Sequence, residues 1–381
     1  MSLSKSRFVE MFGDPVLNPY KLKKDSFRHI CEELFAGGDK PSDIVLTKDE
    51  THPYPVYANG YENLGFMGFS SQCRVNKPAI TISARGTIGF SCIRQAGFTP
   101  IVRLLTLIPK TGIDLDYLKF AIDFYSFTSS GTSQKQLTVP DIAKYEVLVP
   151  DYSSQQCFAT FVHQLDKSKF LLQKILEKLE LLKKSRFIEM FGNVATNNKR
   201  WEKTKLGNKS VIGSSKRIFA NEYTTEGIPF YRSKEIIELG MGEKPSVELY
   251  ISKKRYQEIK EKFGIPIPGD ILMTAVGTIG KFWIVPNSKP FYYKDGNLVY
   301  IRTKEFNPLF LKKLLEMLIE KYKVENANGS AYTALTIEKL KDLQIVLPPM
   351  TLQKQYEEFY IQIDKLKLVI QKSLEDLVGK S

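Results

Sequence analysis

The sequence predicts an α/β (α+β) pseudo-twofold repeat: two mixed α/β modules separated by two long antiparallel coiled-coil helices. Three observations predict it. The octet SRFVEMFG at residues 6–13 returns as SRFIEMFG at 185–192, with Ile188 for Val9 as the one change. Two further blocks match at growing offsets: SARGTIG (83–89) with TAVGTIG (274–280), then GTSQKQLTVPDIAKYEVLVP (131–150) with GSAYTALTIEKLKDLQIVLP (329–348). The segment after each second block carries a sustained heptad pattern. Repeats of this kind set the architecture, and changes of offset mark surface-loop insertions, since each doubling of loop length costs only about 0.6 kcal/mol.

Residues 1–13 read as an N-terminal helix that completes the second helical region. The octet follows LEKLELLKK in mid-chain, whereas the C-terminal helix stops at LEDLVGKS without one. The chain therefore reads as a circular repeat opened inside one helix, with its termini expected to be neighbours. Residues 14–152 form the first module, with β-like runs PAITISA, PIVRLLTLIP and YEVLVP and a helical stretch at 114–127. Residues 193–350 form the second, with matching runs GDILMTA, NLVYIRT and LQIVLP and a helix over 307–322.

Residues 153–192 and 351–381 form the two long helices. Counting by sevens gives a seam of Phe158, Phe161, Leu165, Leu172, Ile175 and Leu179, broken at Ser168. Its counterpart is Tyr356, Phe359, Ile363, Leu366, Ile370 and Leu377, broken at Ser373. Such spacing predicts that the helices zip together; the alternative is that each packs on its own module. The first helix would act as a rigid ruler.

The net charge of +13 favours a polyanionic partner, most often nucleic acid. The four cysteines have no paired spacing and read as reduced thiols. No apolar run approaches a membrane span, and the start MSLSKSRFVEMF lacks the long apolar stretch of a secretory signal, so a cytoplasmic location is expected.

Catalytic patterns are missing. The three histidines, His29, His52 and His163, sit in no hydrolase or zinc motif. Asn18-Pro19-Tyr20-Lys21 lacks the two prolines of the amino-methyltransferase tetrapeptide. Pro140-Asp141 is followed by Glu146-Val147-Leu148, where a nuclease needs a final lysine. In GTIGK (277–281) the first glycine of a phosphate loop would fall on Ala275.

Basic and aromatic loop sequence remains. Residues 196–220 carry seven Lys or Arg against one Glu, with Lys199, Lys203, Lys216 and Arg217 as candidate phosphate contacts. Pro55-Val56-Tyr57 matches Pro229-Phe230-Tyr231, after which Ala58-Asn59-Gly60 faces Arg232-Ser233-Lys234. Gln134-Lys135-Gln136 likewise faces Tyr332-Thr333-Ala334. A shared scaffold with divergent polar tips can read two base sequences. The DNA-contact candidates are Tyr57, Asn59, Arg74, Arg85, Gln134 and Lys135 in the first copy. In the second they are Tyr231, Arg232, Lys234, Lys281 and Tyr332, besides the four basic residues above. The bland alternative is ordinary surface loops.

Two such modules, each ending in a strand with LVP or VLPP, then SSQQCFATFVHQLD or TLQKQYEEFYIQID opening a heptad helix, resemble the specificity subunit of type I restriction–modification systems over essentially the whole chain. Pro150-Asp151 departs from the Pro348-Pro349 pattern while strand, Gln and helix remain. The resemblance implies two target recognition domains, each reading half of a gapped double-stranded DNA target. The two helices would fix the gap. It implies partner methyltransferase subunits, usually two, that use S-adenosylmethionine, and restriction subunits that use ATP and Mg. This chain would bind no cofactor or metal and catalyse nothing. The alternative is a stand-alone two-module DNA-binding or architectural protein.

Overall fold

The computed structural model describes residues 3–124, 127, 136–194, 196–286, 289–325 and 335–379. The chain divides into two compact units: residues 1–174 with 371–381, and residues 175–370.

The first unit opens with α1 (Leu3–Phe12), β1 (Lys24–Ser26), α2 (Phe27–Ile30) and β2 (Cys31–Ala36). There follow β3 (Tyr54–Tyr57), β4 (Phe66–Ser70), β5 (Ala79–Ile82), β6 (Ser91–Arg94), β7 (Thr99–Pro100) and β8 (Leu105–Pro109). It continues with α3 (Leu115–Ile122), α4 (Val139–Ile142), β9 (Glu146–Leu148) and the first part of α5 (Tyr152–Phe191). An antiparallel sheet runs in the order β2-β8-β5-β6, beside a smaller β4-β3-β7 sheet and a β1-β9 ribbon. β5 and β8 are buried almost throughout because both faces are covered. Successive side chains point to opposite faces. Ile80 and Ile82 join the core with α1, α3 and α5, while Ala79 packs with Val75, Phe98 and Ile108.

The second unit holds the rest of α5, then β10 (Lys203–Lys205), α6 (Leu206–Lys209), β11 (Val211–Gly213), β12 (Tyr223–Thr224) and β13 (Ile228–Tyr231). Next come α7 (Ser233–Gly240), β14 (Tyr250–Ile251), α8 (Lys253–Lys262), β15 (Ile271–Thr274), β16 (Phe282–Ile284), β17 (Tyr292–Tyr293) and β18 (Leu298–Arg302). α9 (Pro308–Glu325), α10 (Ile337–Asp342), β19 (Gln344–Val346) and most of α11 (Met350–Val378) complete it. The sheet order β11-β18-β15-β16 repeats that of the first unit, as do the parallel β13-β17 pair and the β10-β19 ribbon. The offset is 174 between Pro55 and Pro229 but 191 across the GTIG pairs, so the main insertion lies between β13 and β15. It contains α7 and α8.

The octet has the same job in both units. Phe8 stacks on Tyr117 at 5.8 Å and meets Phe158 edge-on at 5.4 Å. Phe187 stacks on Phe310 at 5.7 Å and meets Tyr356 edge-on at 5.2 Å. Arg7 lies over Phe161 and Arg186 over Phe359, each at 5.8 Å. The N-terminal helix thus supplies to the first unit what the end of α5 supplies to the second. Residues 371–381 also group with the first unit.

A buried glutamine opens each long helix. Gln155 Oε1 accepts from the Asp114 backbone N–H at 2.9 Å, and its Nε2 donates to the Pro150 carbonyl at 2.8 Å. Gln353 repeats this with Asn307 and Pro348 at 2.9 and 2.8 Å. The glutamine locks the helix start to the cap of α3 or α9 and pairs backbone groups that burial would otherwise strand.

Within the second unit α5 and α11 run antiparallel. Lys183 Nζ lies 2.9 Å from Asp364, Glu180 pairs with Lys367, and the Tyr356 hydroxyl donates to the Lys183 carbonyl. Burial opposes the charge on Lys183, but its bonds to Asp364 and Glu180 outweigh that and hold the ammonium above the usual lysine range. The expected seam needs correcting in phase. Phe158, Leu165, Leu172 and Leu179 face inward, but the intervening inward positions are Val162, Lys169, Leu176 and Lys183. Ile175 is exposed, and Phe161 is half-buried under Arg7. On α11, Tyr356, Ile363, Ile370 and Leu377 face inward with Tyr360, Lys367 and Leu374, while Leu366 is exposed and Phe359 lies beneath Arg186. A 4-3 spacing replaces the 3-4 spacing on both helices. The two spacings share every seventh residue.

Candidate nucleic-acid interface

In the first unit β5 ends in the turn at residues 83–89. Gly89 N–H donates to the Ser83 carbonyl at 3.0 Å, and a Cβ on Gly86 (φ +67°) would meet nothing within 4 Å, so that turn faces open space. The second unit repeats the turn, with Gly280 N–H donating to Thr274 at 2.9 Å. Both are scaffold, and the residues around them diverge.

Asn59 holds the first tip together. Its Nδ2 donates to the Val102 carbonyl at 2.8 Å, and its Oδ1 accepts from Ala84 N–H at 2.7 Å. Both ends of the amide are therefore engaged by backbone. Tyr57 is likewise enclosed: the Arg94 guanidinium sits 3.8 Å above its ring, and Phe66 and Phe98 meet it edge-on. These two candidates shape the tip rather than present free groups.

The cations beside them are presented. Arg85 Nε and Nη2 donate to Gln136 Oε1 at 3.0 and 2.7 Å, and Arg103 Nη1 approaches the same oxygen at 3.4 Å. Val102 and Arg103 both have left-handed backbones (φ 52° and 59°), held by bonds to Gly38 and Gly37. Two adjacent non-glycine residues in that region store about 1–2 kcal/mol each, strain of the kind concentrated at binding sites. Arg74 stacks 5.1 Å from Phe35 and lies against Gly38. Arg85, Arg103 and Gln136 thus share one loop cluster, and the carbonyl of Gly38, against which Arg74 lies, holds the neighbouring Val102. Arg103 carried no sequence signal. Gln134 and Lys135 lie outside the described residues, as does Tyr332 in the second copy.

The second tip is built differently. Tyr231 stacks on Phe291 at 5.0 Å, and burial raises its phenol. Arg232 Nη2 lies 2.8 Å from both the buried Glu235 and the exposed Glu248, and Lys234 shares Glu248 at 3.3 Å. Hydrogen bonds to those glutamates push the Arg232 guanidinium higher still, while Arg232 and Lys234 draw the Glu248 carboxyl down. Much of the charge expected of Arg232 and Lys234 is therefore neutralised locally.

The basic run at 196–220 does not form one surface. Lys199 packs against Gly192 at the end of α5, and Lys203 sits on β10 opposite Val346. Lys216 instead lies over Phe263 with its N–H on the Tyr292 hydroxyl, and Arg217 pairs with Asp295 at 2.8 Å. The reason is that α6 and β11 intervene, and β11 is consumed pairing with β18. Lys281 is exposed on a cavity wall beside α9. In their place α8, KKRYQEIKEK, buries Ile259 and exposes Lys253, Lys254, Lys260 and Lys262. Those four form no ion pair among the described residues. The signal for α8 was present as a Ser252 cap followed by a lysine-rich helical stretch.

Among the described residues no three His, Cys, Asp or Glu converge on a possible metal, and no helix is long and apolar enough to cross a membrane. The arrangement offers guanidinium, ammonium and amide groups on repeated scaffolds, which is recognition chemistry.

Known proteins with this construction are specificity subunits. A family model for the type I restriction modification DNA specificity domain matches residues 30–181 and again 198–377. A Mycoplasma pneumoniae chain named as a type I specificity subunit is 32% identical over 170 residues, 43% of this chain and 46% of that one. A similarly named Haemophilus influenzae chain is 32% identical over 174 residues, 45% of this chain and 42% of that one. The chain thus spans about half the length of these curated relatives. The S subunit from M. genitalium superposes with a TM-score of 0.53 at 14% identity, covering 94% of this chain and 93% of its own. A chain from a structure of type I assembly and conformational transition gives 0.62 at 14% identity, covering 94% and 96%. At those identities the likeness concerns the fold.

Proposed function

This chain belongs to the type I restriction–modification DNA specificity family, and we propose that it reads a two-part, gapped double-stranded DNA target on behalf of modification and restriction subunits. The observation that carries this reading is the repeated scaffold with unlike tips. Equivalent sheets, turns and glutamine locks end in Arg74, Arg85, Arg103 and Gln136 in one copy. In the other they end in Tyr231, Arg232, Lys234 and the α8 lysines. Arginine and glutamine read base edges bidentately, while lysines on a helix face engage phosphates. The two halves of the target are therefore expected to differ.

In this reading α5, continuous over 40 residues, sets the permitted gap. Exposed apolar side chains on the long helices, Phe170 and Leu171 in the first unit and Leu181 and Leu368 in the second, offer each unit apolar area on which a methyltransferase subunit would dock. S-adenosylmethionine, ATP and Mg belong to the partners, and this chain contributes no catalytic group.

The test is DNA binding by the chain assembled with its methyltransferase subunit, measured against salt. Replacing Lys253 or Lys260 by Ala should lower the slope of log K against log salt by about 1 for each phosphate no longer engaged, whatever the sequence. An unchanged slope places α8 away from DNA. Failure to co-purify any methyltransferase would favour the stand-alone DNA-binding alternative.

A further inference from the structure

The two copies differ at one place that DNA reading does not use. In the first unit Phe120 on α3 and Phe124 just beyond it turn toward α1, 5.6 and 4.7 Å from Phe8, and Phe127 covers Gly89. The register set by the paired caps Asp114 and Asn307 aligns these three with Lys313, Met317 and Glu320 of α9. The second unit thus replaces an aromatic plug with shorter or charged side chains. A cavity of about 600 Å³ opens there, walled by α5, α7, α9 and α11.

Its charges are not balanced within the fold. Lys183 is satisfied by Asp364 and Glu180, Lys313 by Glu316 at 2.8 Å, and Glu320 is taken by Lys323. Lys312, with a side chain only 16% exposed, reaches the already engaged Glu316 at 3.8 Å. Its counterpart Lys119 has Asp123 at 2.5 Å. Burial accordingly lowers the Lys312 pKa. Lys184 and Lys281 line the same cavity and form no ion pair among the described residues. Three ammonium groups therefore lack a carboxylate of their own. The wall between them is apolar, with Met241, Met317 and Phe187.

We propose that this cavity of the second unit binds a nucleoside di- or triphosphate, its phosphates on Lys184, Lys281 and Lys312 and its base on the methionine and phenylalanine wall. The volume falls in the range of small-ligand sites. A monoanion such as a fatty acid would leave two of the three cations unanswered, whereas the charge of a diphosphate or triphosphate meets all three. In the first unit Phe120, Phe124 and Phe127 occupy the equivalent positions, so one ligand per chain is expected.

The experiment is isothermal titration of the intact chain with ADP, ATP and inorganic phosphate at fixed ionic strength. Saturable binding of ADP or ATP near one per chain is expected, with Lys312→Ala weakening it at least tenfold. Met317→Phe should abolish it by restoring the residue type that the first copy carries there. Thermal unfolding of each variant without ligand checks the fold, and Lys184→Ala, on the exposed rim, serves if either is unstable. No saturable binding overturns the proposal. So does binding that Lys312→Ala and Lys184→Ala leave unchanged, or inorganic phosphate binding as tightly as ADP.

Discussion

Replacing Gln353 by Leu should cost the second unit about 3 kcal/mol. The side chain is fully buried, with one bond to the Asn307 N–H and one to the Pro348 carbonyl. Leucine fills a similar volume but leaves both backbone groups without a partner and without water. Each stranded group costs about 1–3 kcal/mol, and the apolar side chain recovers part of that total. For a unit of this size each kcal/mol moves the midpoint by about 2–4 °C, so a drop of about 6–12 °C is expected. Calorimetry reads the drop, and amide exchange localises it: the Asn307 N–H should lose protection while the first unit keeps its own. Gln155→Leu should produce the same loss in the first unit, where Asp114 and Pro150 take the two roles. Lys354→Leu, one residue along on the exposed face, should change stability by less than about 0.5 kcal/mol. A Gln353→Leu midpoint within about 2 °C of the parent, or unchanged Asn307 protection, would refute the reasoning.

Three more outcomes follow from the same geometry. Phe12→Ala removes a fully buried ring that touches Phe8, Tyr117 and Phe158, so denaturant unfolding should show the first unit weakened by about 3–5 kcal/mol and the second untouched. Asp151 accepts from Ser153, Ser154 and the Ser154 N–H, which draws its carboxyl from the ordinary 3.8 to about 2. Its pKa is depressed, so the stabilisation is present above the unfolded value and is lost as pH falls from about 4 through 2; a carboxyl NMR titration centred near 3.8 would contradict this. Arg85→Ala should relax base preference in one half of the target only, read by selection from randomised DNA, and equal loss in both halves would argue against separate reading.

How far the sequence carries can be judged residue by residue. The recurrence of the octet was legible, because Phe8 and Phe12 return as Phe187 and Phe191, but its packing on Tyr117 and Phe158, or on Phe310 and Tyr356, emerges only with the fold. The helices were legible as helices, but not their inner face. Lys169, Lys183 and Lys367 occupy seam positions, so the hydrophobic count favoured Ile175 and Leu366, which stay exposed. Only the ion pairs reveal why lysine belongs there: Lys183 and Lys367 pair between α5 and α11, and Lys169 pairs with Asp166 on its own helix. Tyr57, which closes the matched stretch, and Asn59, in the divergent one, are both recognition candidates from sequence, yet their groups are engaged within the tip, because a loop tip needs internal staples as much as free groups. Arg103 could not be found from sequence: its placement depends on a left-handed Val102-Arg103 backbone that no glycine announces. The cavity was equally hidden, since it exists only by comparison of Phe120, Phe124 and Phe127 with the residues that replace them.

In the proposed function this chain chooses the DNA that its partners modify. Methylation-sensitive long-read sequencing of a host with this gene present or deleted, its partner genes intact, tests it most directly. The account predicts that deletion removes one adenine-methylated motif made of two unlike halves around a fixed gap. A methylome unchanged by deletion, in a host whose partner methyltransferase is active, would contradict it.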